Sequence, residues 1–156
     1  MPRALTLAAA ALVGSGCGMF AEPPTDEEMT ARFQRDRAAF ESLLGFIQRT
    51  PALAGPGPAT LTRQDLKAQN VEPRAGDTQQ AAFDTLALHW IRGTGDAGGL
   101  VFVTWVTDIP GPGHRARGFA WAPKPPRGQP REEGRASYEE YKPLDGNWYL
   151  FEELID

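Results

Sequence analysis

The sequence predicts an α+β fold in which amino-terminal helices pack on one face of a small antiparallel sheet, a meander of about four strands. Three observations lead there. Apolar residues recur at helical spacing between Met29 and Ile47, residues 100–122 carry β-branched and aromatic runs, and Asp145-Gly146 has the composition of a two-residue hairpin turn. The 156 residues, 41% hydrophobic and 23% charged, suit one globular domain, placed at residues 25–156.

The chain opens differently. Arg3 and the α-amine give a short positive start, and residues 4–13 (ALTLAAAALV) form an uninterrupted apolar run. A bilayer takes roughly twenty apolar residues, so this run fits the apolar region of a secretory signal better than a membrane span. Gly14, Ser15 and Gly16 lead to Cys17, the one cysteine of the chain. An odd cysteine in an exported protein needs an explanation other than a disulfide within the chain.

Ser15-Gly16-Cys17 resembles the bacterial lipobox, although Gly14 stands where that pattern has Leu or another aliphatic residue. The resemblance implies a signal peptide over residues 1–16 and diacylation of Cys17 with palmitate-type chains, with residues 17–24 as a tether. Several acyl chains, at about 0.8 kcal/mol per buried methylene, make such an attachment effectively permanent. Gly18, in place of an Asp after the cysteine, implies the outer membrane, facing the periplasm. A plain secretory signal cut after Ala21 and a retained membrane span are the alternatives.

The elements follow in order. Thr25 to Glu28 reads as a capping box, with Asp26 and Glu27 adding favourable charge at the helix start. Met29, Phe33, Phe40, Leu44 and Ile47, with Leu43 alongside, form the apolar stripe, and the helix should stop near Arg49 because Thr50 precedes Pro51. Residues 52–58 read as a linker, and Thr62 to Asp65 as a weaker capping box before a short helix over 63–69. Asp77 or Thr78 should cap a further helix through His89, with Phe83, Leu86 and Trp90 on one face and residues 93–99 stopping it. Residues 100–106 (LVFVTWV) have the character of a central strand covered on both faces. Residues 114–122 (HRARGFAWA) alternate, with Phe119 and Trp121 on one side and Gly118, Ala120 and Ala122 on a small side that would let a helix approach. Residues 137–142 and 147–153 form the last pair, joined to the earlier strands by a Pro-rich loop over 123–134.

The opening Thr25-Asp26-Glu27-Glu28-Met29 with Phe33 and Phe40, and the ending Asn147-Trp148-Tyr149-Leu150, are similar to small uncharacterised lipoproteins of bacteria. The similarity covers most of the chain and implies no catalytic residues.

The residues suggest little chemistry of their own. A net charge of −4 with scattered arginines argues against a nucleic-acid partner. His89 and His114 lack metal-ligand spacing, Ser42 and Ser137 lack a nucleophile elbow, and residues 93–99 lead into a strand, so no cofactor or metal is expected. Glu132-Glu133, Glu139-Glu140 and Glu152-Glu153 are adjacent pairs. On a strand their members point to opposite faces, which suits solvated edge charges. Trp105, Trp121, Trp148 and Tyr149 are the candidate binding surface, weighed against a role in the core.

The expectation is a non-catalytic, membrane-anchored envelope module whose partner is another envelope protein or cell-wall material. A small periplasmic hydrolase, needing His114 beside Asp108 or Glu139, is the rival, and an inhibitor or immunity-type protein a third reading.

Overall fold

The first helix forms where the sequence places it. Thr25 accepts the Glu28 backbone N–H while the Glu28 carboxylate accepts the Thr25 N–H at 2.7 Å, closing the capping box that starts α1 (Asp26–Arg49). The computed structural model describes residues 22–50, 60–68, 73–94, 98–109, 113–129 and 137–156. Cys17, the residues read as a lipobox and as a tether as far as Ala21, and Glu132-Glu133 lie outside the described residues. The remaining elements are α2 (Arg63–Ala68), α3 (Pro73–Thr85), β1 (Trp90–Gly93), β2 (Leu100–Asp108), β3 (His114–Trp121), β4 (Tyr138–Asp145) and β5 (Trp148–Ile155).

The protein is α+β, one main helix with an antiparallel sheet, but the sheet has five strands rather than about four. Its order, β1-β2-β3-β5-β4, is not a meander, because β5 inserts between β3 and β4. The burial pattern explains why. Trp148, Tyr149, Leu150 and Phe151 are all buried, so β5 needs cover on both faces, whereas β4 is mostly part-exposed and suits an edge.

The extra strand comes from residues assigned to helix by sequence. α3 begins at Pro73, ahead of Asp77, and stops at Thr85, well short of His89. The Leu88 N–H reaches the Phe83 carbonyl at 3.1 Å and the Ala87 N–H the Asp84 carbonyl at 3.0 Å, the bonding of a Schellman stop. Ala87 takes the left-handed position (φ 44°) where Gly is usual, so the sequence carries no sign of the stop. Trp90 therefore belongs to β1, pairing with Val103, instead of sharing a helix face with Phe83.

The hairpin turn also lies one residue later than expected. Asp145 pairs with Trp148 and the turn residues are Gly146 and Asn147, with Gly146 alone in positive φ (57°).

α1 packs on the large side of β3. Phe33 lies 5.5 Å and Phe40 4.9 Å from Phe119, ring centre to ring centre, and both reach Trp148, at 5.1 and 5.9 Å. The small side of β3 (Ala116 and Ala120, with Ala122 just beyond its end) does not receive that helix. It joins Val101, Val103, Tyr149 and Phe151 in a second apolar cluster on the opposite face. Bulky neighbours from adjacent strands cover the small residues there.

The sheet is strongly curled. At about 4.8 Å per strand, a flat sheet would hold β1 and β4 roughly 19 Å apart. Yet Arg92 of β1 bonds Glu139 of β4 directly. A register shift in β2 between Val103 and Trp105 supplies part of the bend. Gly118 supplies another part, since a Cβ there would collide with the Phe102 carbonyl of the neighbouring strand.

Candidate polar site on the curled face

Alternation along each strand decides which side chains meet. Glu139 and Glu153 are direct partners in the β4–β5 ladder, and Ala116 of β3 lies beside Glu153 on the other side. All three share the face carrying Val103 and Phe151. Two carboxylates facing one another are unfavourable unless a cation joins them. Arg92 does so: its Nη2 donates at 2.7 Å to Glu139 Oε2 and at 2.7 Å to Glu153 Oε2, while the guanidinium lies 5.2 Å from the Phe151 ring centre.

The outer oxygens are also engaged. Tyr141 OH donates to Glu139 Oε1 at 2.6 Å, and His114 Nε2 lies 3.2 Å from Glu153 Oε1. The Trp90 indole meets the His114 ring edge-on at 5.8 Å. Burial works against the Arg92 charge, but Glu139 and Glu153 outweigh it and raise its pKa. Burial first, then the Glu139 carboxylate, push the Tyr141 phenol well above its ordinary value. His114 beside a buried carboxylate has the geometry of a base with its orienting group. Here each of the four carboxylate oxygens already has a partner inside the cluster.

A second polar node sits on the other face, where α1 begins. Arg117, 6% exposed, donates to the Pro24 carbonyl and to Asp26, and its Nε lies 3.2 Å from Glu152. Lys142 reaches Asp26 at 2.8 Å, and Arg115 donates to Glu152 at 2.6 Å. Burial raises the Glu152 pKa, but Tyr138, Arg115 and Arg117 together bring it below the usual carboxylate range.

Of the candidate aromatics, Trp148 and Tyr149 are buried and belong to the two apolar clusters, so they are core rather than surface. Trp121 is part-buried against the helix-side core, and Trp105 is part-exposed at the far end of β2. His114 meets Glu153; neither Asp108, its cross-strand neighbour, nor Glu139 is its bonding partner. Arg92, Tyr141 and Glu153 were missed as site residues. Adjacent glutamates do diverge, but Glu139 meets Glu153 and Glu140 meets Glu152 across the hairpin. Only the register reveals those meetings, and a one-residue slip in the turn exchanges the faces.

His89 precedes β1 at a shallow groove of ≈ 450 Å³ lined also by Thr62, Arg63, Gln64, Phe83, Asp84 and Leu88. Burial, then the nearby Arg32 charge, lower its pKa. Among the described residues no group of three or more His, Cys, Asp or Glu is placed to hold a metal ion, and no helix is long and apolar enough to cross a membrane.

No protein-family model matches the chain, and no curated protein or solved structure matches it.

Proposed function

We propose that this chain is a bacterial envelope lipoprotein, anchored through lipid on Cys17 to the outer membrane and facing the periplasm, whose domain is a non-catalytic interaction or structural module. The single observation that carries the reading is the position of Cys17. The one cysteine of the chain follows Ser15-Gly16 at the end of an export-type apolar run. The self-contained polar cluster supports the non-catalytic part, because Arg92, Tyr141 and His114 engage every oxygen of Glu139 and Glu153, so neither carboxylate is free to act on a substrate itself. The partner in this reading is an envelope protein or cell-wall material.

Intact mass and palmitate labelling in a Gram-negative host test the anchor. The parent carries lipid and the Cys17→Ala variant does not; an unlabelled, soluble parent sinks the proposal.

One observation favours a second reading, a small periplasmic hydrolase. His114 and Glu153 stand 3.2 Å apart. A hydrolytic activity that disappears in a folded His114→Gln variant would establish it over the first.

A further inference from the structure

The start of α1 is fixed by Arg117, which holds the Pro24 carbonyl and Asp26, with Lys142 also on Asp26. Arg117 is the cross-strand neighbour of Trp105, on the same face of the sheet. From there α1 runs over Phe119 and Trp148, away from the end of the sheet formed by the last residues of β2 and β5. That end extends past the first turn of α1. Trp105, part-exposed, lies level with that turn across from Arg117, and beyond it come part-exposed Leu154 on the same face, Ile109 in the loop after β2 and, on the opposite face across from His114, Ile155, which at 45% is the large apolar side chain left exposed among the described residues.

Cys17 stands seven residues before Pro24. Fully extended, such a tether reaches about 24 Å, at most ~3.4 Å per residue. If Cys17 carries the anchor, as the proposed function holds, Trp105 and Ile155 lie on the side of the domain nearest the bilayer.

We infer that this end of the sheet, centred on Trp105, is a membrane-contact surface that rests in the headgroup region of a zwitterionic phospholipid layer. Tryptophan favours that boundary because its ring is apolar and its N–H polar. The charge pattern selects the headgroup. Arg115, Arg117 and Lys142 share the two carboxylates of Asp26 and Glu152, and the one cation left over is outweighed by two further carboxylates, so this end has no net attraction for an anionic lipid. Asp108 and Asp156, both exposed, add negative charge at the same end. The surface deepens the proposed function by naming the partner of its part-exposed Trp105, and it depends on the Cys17 anchor.

The test uses the full chain, lipidated in a Gram-negative host and reconstituted on phosphatidylcholine vesicles with and without brominated acyl chains. Bromine quenches the tryptophan fluorescence of the parent. Trp105→Phe loses most of that quenching, while Trp121→Phe, changed at the opposite end of the same face, keeps it. Equal quenching of the parent and Trp105→Phe, with both still floating with the vesicles, overturns the contact surface and leaves the anchor intact. A chain that carries no palmitate and does not float overturns the anchor, and the contact surface with it.

Discussion

Glu139 and Glu153 lie opposite one another on adjacent strands, and one guanidinium nitrogen of Arg92, from the far edge of the sheet, binds both at 2.7 Å. The bond fastens β1 to β4 and β5 across a face on which Val101, Val103 and Ala120 are fully buried.

Replacing Arg92 with Met keeps much of the stem but leaves two facing carboxylates without their cation. Removing one partner of a buried ionic cluster costs on the order of 3 kcal/mol. Urea denaturation should show that loss for Arg92→Met, and adding Glu153→Gln to it should recover part. Recovery is the informative arm, since it separates stranded charge from lost packing.

Gly118→Ala places a methyl group against the Phe102 carbonyl. Because backbone must move, the expected cost is about 3 kcal/mol, at the upper end of overpacking effects. A thermal melt unchanged from the parent would mean that Gly118 is not needed for the curl.

The stop of α3 allows a change in the other direction. Ala87 sits at φ 44°, which costs a residue with a Cβ but not glycine. Ala87→Gly should stabilise the protein by about 0.5 kcal/mol, the strain relieved being partly offset by a more flexible unfolded chain. Chemical denaturation of the pair measures it.

Lys142 and Arg117 hold the Asp26 carboxyl below its ordinary pKa. A depressed carboxylate pKa stabilises the fold at pH values above the unfolded pKa, and that contribution disappears as pH falls through the folded one. Stability should therefore decline below about pH 4, and Asp26→Asn should flatten that acid limb. Melting temperature followed from neutral pH downward distinguishes the two proteins.

Trp148 is 4% exposed and touches Phe33, Phe40 and Phe102. Truncation to Ala should cost about 3–5 kcal/mol, as for other buried aromatics. A variant that melts like the parent would return Trp148 to the surface.

The sequence was most legible where one local signal decides the structure. Thr25 and Glu28 mark the start of α1, and the stripe from Met29 to Ile47 is buried, Phe33 and Phe40 among its deepest residues. β2 and β3 are likewise visible in their own residues. Where two distant segments decide the outcome, the signal was weaker. Ala87 in a position suited to glycine concealed the end of α3, and with it β1. The place of β5 between β3 and β4 follows from burial on both its faces, which its apolar run only suggests. The polar cluster was the least legible part. His114 and Glu139 were singled out, but Arg92 stands 47 residues from Glu139 and 61 from Glu153 in sequence, and only the curl brings them together.

The strand order constrains when the chain can fold. β5 comes last in chain order, yet it fills the gap between β3 and β4, and its Trp148 forms part of the seat for Phe33 and Phe40. Until β5 emerges from the ribosome, β3 and β4 lack the partner they share and α1 lacks part of its core. Pairings between distant segments also form slowly, since loop closure precedes any gain from contact. Such a chain cannot complete its sheet or close its core until β5 has been made. A core not yet closed is the state in which an export channel threads a polypeptide across a membrane, so the late central strand suits the proposed route of this protein to the envelope.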